Sequence, residues 1–143
     1  MTKPDSTTTT VWIQLFRAHK KLRDKVDHAL KSASLPPLEW YDILLELERA
    51  TSSGLRPYEL EQTLLLSQHG VSRKVDRMVK DGLVSRKPST EDGRGYHLFI
   101  TPKGRKLRQE IWKTYGQQIN QGIATNLTPT ETKALAKLLA KIA

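Results

Sequence analysis

Gln68, Ser72, Arg73 and Arg77 fall within ten residues of one another, and their side chains are of the kinds that read the edges of base pairs. A guanidinium presents a planar fork of donors that matches two neighbouring acceptors, as on the O6/N7 edge of guanine, and a carboxamide matches the donor–acceptor edge of adenine. Lys74, Arg77 and Lys80 supply cations suited equally to phosphate oxygens, contacts that fix position without reading sequence. Ser67 and His69 stand immediately upstream as further short hydrogen-bonding groups.

These residues need a helix to hold them. Val71, Val75, Met78 and Val79 recur at i, i+4, i+7 and i+8, which predicts one buried stripe. His69, Ser72, Arg73, Asp76, Arg77 and Lys80 are left facing outward. Ser67 is the expected N-cap, and Gln68, His69, Ser72 and Arg73 then occupy the first two turns. Gly82 stops the helix. Two alternating runs follow, Leu83–Lys87 and Tyr96–Ile100, joined by a loop from Pro88 to Gly95.

Helix followed by basic hairpin is the layout of a winged helix, a shape suited to duplex DNA. On the helix alone, a solvated charged face is an equal reading. The hairpin favours nucleic acid, because a loop this long projects from the body. Gly93 and Gly95 flank Arg94, which at such a tip can enter a narrow minor groove. Asp92 would orient an arginine, and Arg86 and Lys87 on the first strand would hold phosphates. An exposed hairpin with no such task is the competing reading.

The net charge of +9 is unevenly placed. Ten of the 24 Lys and Arg but only four of the 15 Asp and Glu lie between Ser67 and Lys106, so that segment carries +6 of the total. Concentration on one helix–hairpin unit strengthens the nucleic-acid reading. The absence of cysteine excludes disulfides and thiolate chemistry. His19, His28, His69 and His97 show no metal-ligand spacing, and there is no phosphate loop or nucleophile elbow. Neither enzyme activity nor a metal or cofactor is expected. No apolar run approaches the ~20 residues that span a bilayer, and the N-terminus lacks a signal-peptide pattern. The expected location is cytoplasmic.

The 143 residues suit a single domain. Residues 1–10 are expected to be disordered, and a long helix is expected from Val11 to Ser32. Pro36 and Pro37 separate it from a second helix, Leu38 to Ala50, apolar on nearly all sides and hence central. Leu55-Arg56 is a candidate short strand, and Pro57 opens a brief third helix. Thr101-Pro102 opens a long fifth helix. Thr128-Pro129-Thr130-Glu131 is a capping box that opens the last, whose Leu135, Leu138, Leu139 and Ile142 form a stripe. The expected class is mainly α with a small β-hairpin wing.

LLLSQHGVSRKVDRMVKDGLVSRKPSTEDGRGYHLFITPKGRKL resembles the winged helix–turn–helix of the MarR family of bacterial transcriptional regulators. The matching pieces are SRKVDRMVKDGLVSR, the D-x-R wing motif at Asp92-Gly93-Arg94, and ITPKG; LPPLEWYDILLEL resembles that family's second helix. The likeness is close over Leu35 to Leu107. It implies a homodimer on a pseudo-palindromic site, with residues 11–34 and 102–143 as dimerisation helices around a DNA-binding region at 38–101. It also implies a repressor that releases DNA on binding a small aromatic or phenolic effector. Trp12, Phe16, His19, Trp40 and Tyr41 are candidates to line that site, although each is more simply read as packing core or dimer seam. A winged helix used for protein–protein assembly and a constitutive architectural DNA binder remain the alternatives.

Overall fold

The computed structural model describes residues 1–89 and 95–143. The chain divides into two compact units, Ser34–Lys113 and the pair of segments Met1–Ala33 and Thr114–Ala143.

The Ser34–Lys113 unit is built around α2 (Leu38–Arg49). Ile43, Leu44 and Leu47 on this helix are fully buried, as expected for a helix apolar on nearly every side. A 3₁₀ turn at Thr51–Ser53 leads to Leu55, which forms an isolated bridge with Leu98. The candidate strand at Leu55-Arg56 is therefore a single bridge. Next come α3 (Pro57–Thr63), α4 (Val71–Lys80), and an antiparallel hairpin of β1 (Val84–Pro88) and β2 (Tyr96–Ile100). The register pairs Val84 with Ile100 and Pro88 with Tyr96. One core joins α2, α3, α4 and the hairpin through Leu60, Val75, Met78, Leu83, Val84, Leu98 and Ile100.

The first turn of α5 (Pro102–Ile119) closes the C-terminal end of α4. A helix leaves its last carbonyls without intrahelical partners. Here the Thr101 hydroxyl donates to Gly82 O at 2.6 Å and Lys103 Nζ donates to Asp81 O at 2.8 Å. The same Thr101 hydroxyl oxygen accepts from Gly104 N at 3.0 Å, capping α5 as expected. Gly104 is required by close approach, since a Cβ there would lie 2.2 Å from Leu83 O.

In the other unit, α1 spans Ser6–Ser32. It begins five residues before the expected start, within the segment expected to be disordered. Asp5 explains the difference, because its carboxylate accepts from Thr8 N at 2.6 Å and satisfies a free amide of the first turn. Beyond residue 113 the chain completes α5, passes through a π turn at Asn120–Ala124, and ends in α6 (Pro129–Ala140). Thr128 and Glu131 form the expected reciprocal capping box, with bonds of 2.9 and 3.1 Å. Val11, Trp12 and Phe16 on α1 and Leu138 on α6 are each more than half exposed.

Both caps are pH-sensitive. The Thr128 backbone amide, then its side chain, holds the Glu131 carboxyl below its ordinary 4.5, and the Thr8 amide does the same for Asp5 below 3.8. A depressed folded pKa means stabilisation that is present above the ordinary value and lost as pH falls through the folded one. In a pH titration followed by NMR, the first turns of α1 and α6 should fray only below about pH 4.5. Fraying between pH 6 and 8 would contradict the assignment, and Glu131→Gln should abolish the acid transition of α6.

Candidate nucleic-acid interface

The α4 helix presents two chemically distinct sides. Val71, Val75 and Met78 are buried, at 7%, 4% and 0% exposure, and Val79 is half-buried. Ser72, Arg73, Asp76, Arg77 and Lys80 are exposed. The buried stripe fixes the rotation of the helix, so the two arginines point away from the core. Arg73 and Arg77, with Lys74 and Asp81, also line a surface groove of about 700 Å³ whose opposite wall is Ser34–Pro37 and Trp40.

The helix starts later than expected. Its N-cap is Gly70, in a left-handed conformation (φ 67°, ψ 34°), and its first intrahelical bond runs from Lys74 N to Gly70 O. Ser67 is therefore not the cap, and Gln68 and His69 precede the helix rather than occupy its first turn. Local bonding accounts for this. Lys74 Nζ donates to Gln68 Oε1 at 2.9 Å and to His69 O at 3.0 Å. The Gln68 amide oxygen, expected at a base edge, is thus engaged by Lys74, and Lys74, expected at a phosphate, braces the lead-in to α4. Ser67 and His69 are exposed.

On the wing, Arg86 and Lys87 are exposed on β1. Arg86 pairs with Asp76 of α4 through Nη2 and Oδ1, and its guanidinium stacks 5.2 Å above the Tyr96 ring. Lys87 Nζ lies 5.0 Å above the Phe99 ring. Asp76, which sequence reasoning left as part of a solvated face, links the helix to the wing. The wing root closes with Ser89 N donating to Gly95 O at 3.2 Å, and Arg56 Nη2 donates to the buried Ser89 hydroxyl at 3.2 Å. Asp92 and Arg94 lie outside the described residues.

The candidate ligand residues are divided between the two units. Trp12 and Phe16, exposed on α1, pair with ring centroids 4.9 Å apart, and His19 is exposed on the same helix. In the Ser34–Lys113 unit, buried Tyr41 stacks on Trp112 at 6.1 Å, and Trp40 lines the groove beside α4. Among the described residues no group of three His, Cys, Asp or Glu could hold a metal ion. No helix among them is long and apolar enough to cross a membrane.

Residues 34–95, which hold α2, α3, α4, β1 and the root of the wing, match the model of the MarR family. Over this segment the chain is similar to the MarR family. The multiple antibiotic resistance protein MarR of Salmonella typhimurium is 32% identical over 88 residues, a match spanning 62% of this chain and 61% of that protein. The HTH-type transcriptional repressor YetL of Bacillus subtilis is 24% identical over 135 residues, 94% of this chain and 80% of that one. A MarR family transcriptional regulator from Streptomyces coelicolor, solved in complex with DNA, superposes with a TM-score of 0.84. At 23% identity, over 99% of this chain and 89% of that one, it extends the MarR-like fold to the terminal helices.

Gly70 offers a check on how α4 is started. A Cβ at this position meets nothing within 4 Å, so only the left-handed backbone disfavours a side chain. Gly70→Ala should lower the free energy of unfolding in urea by about 1–2 kcal/mol, and Gly70→Asn by clearly less, because Asn tolerates that region. Equal losses would show that the strained conformation is not what fixes the start of α4.

Proposed function

We propose that this protein is a sequence-specific duplex-DNA-binding transcriptional regulator, a repressor acting as a cytoplasmic homodimer on a pseudo-palindromic operator. The observation that carries this reading is the display of Ser72, Arg73 and Arg77 on the free side of α4, next to a wing bearing Arg86 and Lys87. Ser67, His69 and Ser72 supply short hydrogen-bonding groups at the leading end. Arg73 and Arg77 supply bidentate donors for guanine, and Arg86 and Lys87 hold phosphates. Gln68 and Lys74 contribute by shaping the lead-in.

The first test is electrostatic. For a dimer covering ~8 phosphates, the logarithm of affinity should fall with the logarithm of salt concentration at a slope near −7. A protein-assembly module would show no such dependence. Arg73→Ala should cost ~1–3 kcal/mol of discrimination between a selected duplex and random DNA. Equal loss on both would reassign Arg73 to phosphate contact.

A second copy of the chain is the occupant proposed for the apolar residues left exposed on α1, on α6 and in the turn that follows it. Trp12 and Phe16 are 63% and 61% exposed, and Leu138 and Ile142 are 58% and 67% exposed. Side chains this large are rarely left in water on two helices of one small protein. Leu138→Asp should shift the sedimenting species from dimer to monomer at micromolar concentration, and an unchanged sedimentation profile would count against this surface.

Relief of repression by a small aromatic or phenolic anion belongs to the same proposal. A panel of aromatic acids that fails to release the selected duplex would favour a constitutive architectural role.

A further inference from the structure

Asp42 is a carboxylate in the wrong company. It sits on α2 between Tyr41 and Ile43 and is 5% exposed, on the helix that forms the centre of the core. A buried carboxylate is costly unless its oxygens accept hydrogen bonds. Both do. Oδ1 accepts from Leu65 N at 3.1 Å and Oδ2 from Leu66 N at 2.7 Å. These consecutive amides lie just past the end of α3, in the segment that leads into α4.

Apolar burial holds that point only in part: Leu64 packs against the core and Leu66 is half-buried, but the Leu65 side chain between them is 80% exposed. The entrance to the lead-in is therefore located by a polar clamp as well as by packing. Its exit is located by Lys74, bonded to Gln68 Oε1 and His69 O, and by the left-handed turn at Gly70. Ser67 and His69 stand exposed between these two anchors. Base reading tolerates displacements of only about half an ångström, so a clamp on the backbone one residue ahead of Ser67 governs where these groups are offered.

We propose that Asp42 is a positioning residue for DNA recognition, fixing the α3–α4 lead-in through the Leu65 and Leu66 amides without touching DNA. The inference rests on the DNA-binding reading above. The geometry also says why a carboxylate is used. Two adjacent N–H groups need two acceptor oxygens, and an Asn of the same shape has one, turning its NH₂ toward an N–H.

The test uses the full-length chain, a 20-base-pair duplex selected by the wild-type protein from a random pool, and a scrambled duplex of equal composition. Asp42→Asn should weaken binding to the selected duplex by about tenfold and to the scrambled duplex by less than twofold. Amide hydrogen exchange on the free wild-type protein should show Leu65 and Leu66 protected, and in Asp42→Asn at least one should exchange faster. This second measurement stands even if the variant binds DNA poorly through loss of fold, which its melting curve would reveal. Three results would overturn the proposal: rapid exchange of both wild-type amides, equal weakening on both duplexes, or a lowered melting temperature with an unchanged affinity ratio. Failure of the wild-type protein to enrich any duplex would instead overturn the DNA-binding reading, and this role with it.

Discussion

The burial of Val71, Val75 and Met78 against the core around α2 is the constraint on which the proposed interface depends. A ten-residue helix is marginal in water by itself. Placing three apolar side chains in the core contributes roughly 1.5–3 kcal/mol each, which is enough to fix both the existence and the rotation of α4. Rotation is the important part. Residues at i+1, i+2 and i+6 from Val71 must then face outward, and these are Ser72, Arg73 and Arg77. The charged face is displayed because the opposite face is anchored.

The remaining freedoms of α4 are removed one at a time. Sliding along its axis is opposed at the C-terminal end by Thr101 and Lys103, which take the carbonyls of Gly82 and Asp81. At the N-terminal end it is opposed by Gly70 and the Lys74 brace. The wing is tied to the helix by the Asp76–Arg86 pair, which is exposed and hence modest in energy, but which fixes where the guanidinium lies. A surface that matches a rigid duplex gains from such preorganisation, because less conformational entropy is lost on binding.

Much of this was legible in the sequence. The period of Val71–Val79 identified α4, alternation identified both wing strands, and Thr128-Pro129-Thr130-Glu131 identified the start of α6. The misreadings have physical reasons. Ser67 is a good N-cap by type, but Gly70 adopts the left-handed conformation that interrupts the helix before it can reach Ser67. The Thr-rich N-terminus looked too polar to order, yet Asp5 caps it three residues ahead of Thr8. Asp42 was invisible because its partners lie 23 and 24 residues away, and no local pattern marks a carboxylate whose partners are amides brought near only by the fold. The sequence also could not show that Gln68 and Lys74 would bond to one another, since both types serve DNA equally well when free.

The central claim is that the outer face of α4 and the wing strands together meet a duplex. Its most direct measurement is the map of backbone amide chemical-shift changes when a selected duplex is added to isotopically labelled protein. The account predicts that the largest changes fall at 67–80 and 84–88 and that α6 is little affected. Changes confined to α1 and α6, with α4 undisturbed, would contradict it.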